Sequence, residues 1–284
     1  PDLPVVAAWR SRQGHYGQRV LGVDIGGAGA HLALTGQHPA TVQASGPGTA
    51  QGLDRLLDGA SSAYHICPNM HPEELSIGRG VIAAAQQAGV EHMVYHSVLH
   101  PQVEAMPHHW QKMRVEEESF TAGLPVTILQ PAAYMQNLLV HWERMVNQGL
   151  YPVPYAVTTR LGMVDLEDVA EAAAAVLCEA GHEGATYELA GDEPLTQDEV
   201  AGIVARRIGR SVRAEVVPRE AWARQARAAG LGDYQVESLL RMFVYYEQHG
   251  FAGNPRVLRC LLGRAPATLA EFVDRVAAAR PGVG

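Results

Sequence analysis

Short continuous apolar runs alternate along the chain with longer segments that carry apolar residues at helical spacing. The runs 63–67 (AYHIC), 93–98 (MVYHSV) and 124–130 (LPVTILQ) predict buried strands, because strands covered on both faces show little polar alternation. The alanine-rich segments 72–88 and 166–180 have the apolar spacing of helices. Strands that alternate with helices predict an α/β fold, a Rossmann-like doubly wound parallel sheet.

The first sixty residues carry weaker patterns. Residues 4–8 predict a first strand, and residues 14–24 predict a weak helix. Two further short strands are predicted over 30–35 and 40–44, followed by helical spacing over 50–57. We therefore expect the sheet to begin close to the N-terminus.

Capping residues mark several helix starts in the second half of the chain. Asp165 stands directly before the helix 166–180, as an N-cap does. Thr196 is followed three residues later by Glu199, which is the spacing of a capping box. The last predicted helix, 268–279, also begins with a threonine.

The last third of the chain is helical and aromatic from Arg219 onward. We expect it to fold over the carboxyl ends of the strands as a mostly helical substrate cap, after a helix over 133–148 and an edge strand over 213–217. The chain is predicted to form a single domain. Residues 1–155 would form the Rossmann-like core, and residues 156–284 would first return to that core and then form the C-terminal cap.

Composition excludes several classes of protein. The 284-residue chain has a formal net charge of −8 without a block of like charges, so nucleic-acid binding is not expected. Three widely spaced cysteines, without a CxxC pair or an HExxH motif, predict neither a disulfide framework nor a metal site. No run of about 18 apolar residues occurs, so we expect no membrane span and no signal peptide, and a cytoplasmic protein. The oligomeric state stays open, a homodimer included.

The candidate chemistry follows the fifth predicted strand. Ser97 ends this strand, His100, His108 and His109 stand in the polar stretch after it, and Lys112 lies in the next helix. Side chains at the carboxyl end of a strand commonly form the site in α/β enzymes. A histidine with a pKa near neutrality is a natural acid or base, and a lysine beside it can stabilise an oxyanion. The alternative is that the histidines pack in a loop and that Lys112 is solvated.

Other residues are candidates for substrate contacts. Tyr64 and His65 lie at the end of the fourth predicted strand. Trp222 belongs to the aromatic cap, where such residues are more often core than binding wall. A cap rich in aromatic residues would suit a small-molecule substrate that is planar and apolar.

Six segments resemble the NmrA-like branch of the atypical short-chain dehydrogenases/reductases, over roughly residues 40–280. They read VYHSVLHP, HHWQK, GLPVTILQPAAYMQNLL, MVDLEDVAEAAAAVL, TYELAGDEPLTQDEVA and GFAGNPRVLRCLLGRAPATLAEF. The resemblance implies a Rossmann-like sheet that usually binds NAD(P), in reductases of small carbonyl or quinone-type compounds or in redox-sensing regulators. Lys112 matches the lysine of the superfamily's Tyr-xxx-Lys pair, which holds the ribose in the family, His108 stands in place of the tyrosine, and Ser97 matches the serine. The resemblance also implies that Tyr134 and Asn137, after the sixth predicted strand, border the nicotinamide and the substrate.

The glycine motif of this family departs from its usual form. Thr-Gly-Ala-Thr-Gly-x-x-Gly falls on residues 7–14, where only Gly14 matches. Ser11 replaces the glycine that lets the backbone approach the pyrophosphate, although Arg10 and Arg12 offer charge at a helix N-terminus. The family's arginine after the second strand and aspartate after the third are also missing. A glycine-rich alternative, GVDIGGAG over 22–29, lacks the helix that should follow a dinucleotide loop.

Three functional hypotheses follow. The leading one is an enzyme without ordinary dinucleotide use, in which His108 or His109 moves a proton and Lys112 with Ser97 stabilises an enolate or alkoxide. Cyclisation, elimination or isomerisation of an apolar or aromatic carbonyl compound would fit this chemistry, with no cofactor. The first alternative is an NAD(P)H-dependent reductase with an altered phosphate loop. The second is a non-catalytic regulator that senses a ligand.

Overall fold

Among the described residues, the main sheet has six strands in the order β2–β1–β3–β4–β5–β9. The computed structural model describes residues 20–24, 33–34, 53, 57, 59–67 and 70–279. The strands are β1 Val20–Asp24, β2 Ala33–Leu34, β3 Ser62–Ile66, β4 His92–His96, β5 Val126–Pro131 and β9 Thr186–Leu189. β1, β3, β4 and β5 run parallel to their neighbours in that series, whereas β2 pairs antiparallel to β1. The predicted Rossmann-like parallel sheet is confirmed.

The helices alternate with these strands and then dominate the end of the chain. They are α1 Glu74–Gln87, α2 Pro107–Thr121, α3 Trp142–Gln148, α4 Leu166–Cys178, α5 Gln197–Ile208, α6 Arg219–Ala228, α7 Asp233–His249, α8 Pro255–Leu262 and α9 Leu269–Ala279. A 3-10 helix, Met135–His141, precedes α3. Two small sheets pair β10 (Arg213–Val216) with β7 (Leu150–Val153) and β6 (Ala133–Tyr134) with β8 (Met163–Val164). In the described ranges, no helix is long and apolar enough to cross a membrane.

The chain divides into two compact units. The first contains residues up to Gln130 together with 169–187, and the second contains 131–168 and 188–284. The core of the first unit joins α1 and α2 to the sheet through apolar side chains such as Val81, Met93 and Val115. The two helices approach closely at Gly78, where an added Cβ would lie 2.7 Å from Val115 Cγ1. Here the backbone leaves room for only a hydrogen.

The second unit has a core of its own, formed by apolar side chains of α3, β7, α5 and α9. Asp165 caps α4 as predicted, because its Oδ1 accepts a hydrogen bond from the Glu167 amide at 3.1 Å. The same carboxylate forms an ion pair with Arg275 and accepts a hydrogen bond of 2.7 Å from Gln136 Nε2. It therefore joins distant segments of this unit. The predicted capping box of Thr196 and Glu199 is also confirmed.

Three predicted elements differ from the structure. Residues 20–24 form the strand β1, not the end of a weak helix, since this aliphatic stretch pairs with β3 over five residues. The helix predicted over 133–148 is divided into β6, the 3-10 helix and α3, because the backbone is still extended at Tyr134. β10 pairs with β7 in a small sheet and is not an edge of the main sheet. The strands predicted over 4–8 and 40–44 lie outside the described residues.

Candidate active site

Lys112 places a nearly buried ammonium group at the carboxyl end of β4. Its Nζ lies 2.6 Å from Glu74 Oε1 and 3.4 Å from the carbonyl oxygen of His96, the last residue of β4. It also stands 5.6 Å from the centre of the Tyr95 ring, within the range of a cation–π contact. The Lys112 side chain is only 11% exposed, so the alternative of a solvated lysine does not hold.

Glu74 is the partner of Lys112 and was not among the predicted residues. It is the first residue of α1, and its side chain is fully buried. Its Oε1 also accepts a hydrogen bond from the Tyr95 hydroxyl at 3.0 Å, whereas its Oε2 is buried without a hydrogen-bond partner. A glutamate in the first turn of a helix is ordinarily a solvated residue. Only the packing of α1 against the sheet identifies it.

Ser97 belongs to a second buried polar group, with Glu116 and Gln130. The Ser97 hydroxyl donates a short hydrogen bond to Glu116 Oε1, and Gln130 Nε2 donates to both carboxylate oxygens at 3.0 Å. Burial raises the pKa of Glu116, while the two hydrogen bonds and Lys112 oppose that rise. Glu116 was also missed, because it stands in a run of three glutamates that resembles a solvated helix face.

Two of the predicted histidines, His108 and His109, are buried, and their pKa values are lowered. Burial lowers the pKa of His108 to about 2, with smaller effects of His109 and Lys112 in the same direction. Burial likewise lowers the pKa of His109 to about 4, although its Nδ1 donates to the His100 carbonyl at 3.4 Å. The expected pKa near neutrality is therefore not found. A neutral imidazole can donate or accept a hydrogen bond, but it carries no acidic proton near neutral pH.

His100, His108 and His109 lie close together in the first unit. The rings of His108 and His109 meet edge to face with centres 4.5 Å apart. His100 adopts a positive φ of 53°, and its carbonyl accepts from His109, so this loop is fixed to the start of α2. His108 Nδ1 is buried and has no hydrogen-bond partner. Whether any of them contacts a ligand stays a prediction.

Tyr64 and His65 are buried residues of β3 in the first unit. The Tyr64 hydroxyl lies 2.5 Å from His96 Nδ1, and burial lowers the pKa of His96 to about 3. The His65 ring stacks on Tyr95 with centres 5.5 Å apart. Both residues are buried, so these contacts add to the network around β4, and their predicted substrate contacts stay untested.

The remaining candidates for substrate contacts, Tyr134, Asn137 and Trp222, belong to the second unit. Tyr134 and Trp222 are half-buried in the second unit, where the Trp222 ring meets Phe243 edge to face at 4.7 Å, and Asn137 is exposed. Burial raises the pKa of Tyr134. Arg10, Ser11, Arg12 and Gly14, the candidate phosphate ligands, lie outside the described residues.

The parallel sheet, with helices between its strands and Lys112 at the carboxyl end of β4, defines a Rossmann-like α/β protein. Residues 31–277 match the model of the NmrA-like family, and the chain belongs to this family. The resemblance found in the sequence is thereby confirmed over most of the chain.

Two curated relatives are named as nicotinamide-dependent or quinone-reducing enzymes. Quinone oxidoreductase 2 of Escherichia coli (strain K12) is 28% identical over 236 residues, which cover 83% of this chain and 82% of the relative. An NAD(P)H azoreductase of Xenophilus azovorans is 26% identical over 232 residues, 80% of this chain and 79% of the relative.

A solved structure supports the same relationship. The Escherichia coli NADPH-dependent quinone oxidoreductase in complex with NADPH superposes with a TM-score of 0.72, at 27% identity and 80% coverage of each chain. These findings favour the reductase alternative over the leading hypothesis. Cofactor-independent cyclisation, elimination or isomerisation finds no support among these relatives.

Proposed function

We propose that the chain is an NAD(P)H-dependent reductase of quinone-type or similar planar, apolar acceptors. The observation that carries the proposal is the likeness to the Escherichia coli quinone oxidoreductase, over four-fifths of both chains, in sequence and in the structure that holds NADPH. The azoreductase relative extends the same chemistry to another planar acceptor. Bound NAD(P)H would supply the hydride, and the chain's own residues would bind and orient the reactants.

The described residues fit this cofactor at Lys112. An ammonium group has three N–H donors. Two of them are used by Glu74 Oε1 and the His96 carbonyl. The third is available for a neutral oxygen, such as a ribose hydroxyl, which is the role that family resemblance gives to this lysine. Because Glu74 balances the charge of Lys112, the ammonium group needs no anionic partner from the ligand.

Ser97 and Glu116 offer a route for the proton that a reduced oxygen needs. His108 and His109 cannot supply it, because burial lowers their pKa to about 2 and about 4. Glu116 has a raised pKa and a short hydrogen bond to the Ser97 hydroxyl. We assign to this pair a proton relay in which Glu116 first takes up a proton from solvent. The Ser97 hydroxyl, which donates to Glu116 in the structure, would then turn to give its proton to the substrate oxygen and receive the Glu116 proton at Oγ.

The proposal is tested with NADPH and NADH titrations followed by nucleotide fluorescence, and then by nucleotide oxidation with menadione, benzoquinone or an azo dye. We expect micromolar binding and oxidation that depends on the acceptor. The variant Lys112→Met should weaken binding by about tenfold or more, since a charge-assisted hydrogen bond contributes about 1.5–3 kcal/mol. Arg114→Met, an exposed cation on the same helix, is the matched control and should bind normally.

Two results would overturn the proposal. A protein that binds neither nucleotide at micromolar concentrations has no place for the hydride donor. A protein that binds NADPH but oxidises it with none of the acceptors would instead favour the regulator alternative.

A further inference from the structure

We propose that Glu74 is a positioning residue for this reaction, which fixes the Lys112 ammonium group in place and directs its remaining N–H at a neutral ligand oxygen. The inference rests on the proposed function. It assigns a role to a residue of α1 that lies 38 positions before Lys112 in the chain.

Three elements fix the ammonium group. Glu74 comes from the start of α1, Lys112 from α2, and Tyr95 and the His96 carbonyl from β4. One carboxylate oxygen, Glu74 Oε1, receives both the lysine at 2.6 Å and the Tyr95 hydroxyl at 3.0 Å. The tyrosine therefore holds the carboxylate in place while the carboxylate holds the lysine. Two of the three lysine donors are directed into the protein, and the direction of the third follows from them.

The burial of the pair gives Glu74 its importance. The Glu74 side chain has no exposure and that of Lys112 has 11%. A buried ammonium group without a counter-charge is strongly unfavourable, because its lost hydration is not replaced. Glu74 supplies the counter-charge from within the protein. The ligand of Lys112 is therefore a hydroxyl or carbonyl oxygen rather than a phosphate or carboxylate, which would add a second negative charge beside Glu74.

The pairing also means that Lys112→Met is not a clean variant. It leaves the Glu74 carboxylate buried with Tyr95 as its only described partner, and an isolated buried charge is strongly unfavourable. A loss of activity in that variant would combine the loss of the donor with damage to the fold. Removal of both charges separates the two effects.

The test is a double-mutant cycle of wild type, Glu74→Gln, Lys112→Met and the double variant, with NADPH dissociation constants and melting temperatures for each. Glu74→Gln keeps the shape and an oxygen acceptor for Tyr95. Glu73→Gln is the matched control, since Glu73 is the exposed neighbour. We expect Glu74→Gln to weaken NADPH binding by about tenfold in the Lys112 background and to have no further effect in the Lys112→Met background. The double variant should melt higher than Lys112→Met alone.

Each other outcome counts against the proposal. Normal NADPH binding by Glu74→Gln, or an equal loss in both backgrounds, would show that Glu74 supports the fold without acting through Lys112. Weaker binding by Glu73→Gln would show that the effect is not specific to the buried carboxylate. A wild-type protein that binds neither NADPH nor NADH would overturn the proposed function, and this inference with it.

Discussion

Acidification should destabilise the protein through its buried histidines. Replacement of His108 separates the contribution of this one residue to the free energy of unfolding. Its pKa is about 2 in the folded protein and 6.5 in the unfolded chain. As the pH falls below 6.5, the unfolded chain takes up a proton at this residue and the folded protein does not. Stability is therefore complete above the unfolded pKa and is lost as the pH falls.

The magnitude follows from the gap between pH and pKa. About pH 5 lies some 1.5 units below the pKa of the imidazole in the unfolded chain. Each unit lowers the free energy of unfolding by about 1.4 kcal/mol. His108 alone should therefore cost about 2 kcal/mol between about pH 7.5 and pH 5. His96 and His109 act in the same direction, whereas the raised pKa of Glu116 acts in the opposite one. The contributions of His96 and Glu116 are common to wild type and variants and cancel in a comparison.

The assay is urea unfolding of wild type, His108→Asn and His249→Asn at the two pH values. His108 forms none of the hydrogen bonds found among the described side chains, so its replacement breaks none of them. We expect His108→Asn to lose about 2 kcal/mol less than wild type on acidification. His249→Asn, which changes an exposed histidine, should lose as much stability on acidification as wild type does. An equal loss in wild type and His108→Asn would refute a neutral, buried His108.

Three further predictions concern close packing at two glycines and the buried hydrogen bonds of Glu116. Gly191→Ala should abolish soluble folding or cost more than about 3 kcal/mol, because the added Cβ would lie 2.0 Å from the Met163 carbonyl oxygen. Gly80→Ala, where the Cβ meets nothing within 4 Å, should instead stabilise α1 by about 0.5–1 kcal/mol. Glu116→Gln should cost less than about 1 kcal/mol in urea unfolding, and Glu116→Ala about 2 kcal/mol or more, because the alanine leaves Gln130 buried without its partner. Equal losses for the two Glu116 variants would contradict this account of the Ser97 group.

The elements that sequence predicted well are those with a local cause. Apolar runs identified β3, β4 and β5 to within about two residues, since a strand buried on both faces needs no partner to be recognised. Thr196 and Asp165 predicted helix starts because a cap depends on residues a few positions away. The strand β1 was missed because its identity depends on pairing with a segment some forty residues later.

The candidate site was predicted only in part, for the same physical reason. Lys112 and Ser97 follow a recognisable strand and match a family motif. Their partners Glu74 and Glu116 come from helix segments whose polar sequence is typical of solvated faces, and tertiary packing alone buries them. The expected acid–base role of His108 and His109 did not anticipate how strongly burial lowers their pKa.

The central claim is that the chain carries out nicotinamide-dependent reduction. The most direct measurement is a single-turnover experiment in which the protein is loaded with NADPH, mixed with a quinone without oxygen, and followed by nicotinamide absorbance. The account predicts that bound NADPH is oxidised, and that deuterium at one of the two C4 positions, but not the other, slows the reaction. NADPH that fails to bind, or that binds and keeps its absorbance in the presence of the quinone, would contradict it.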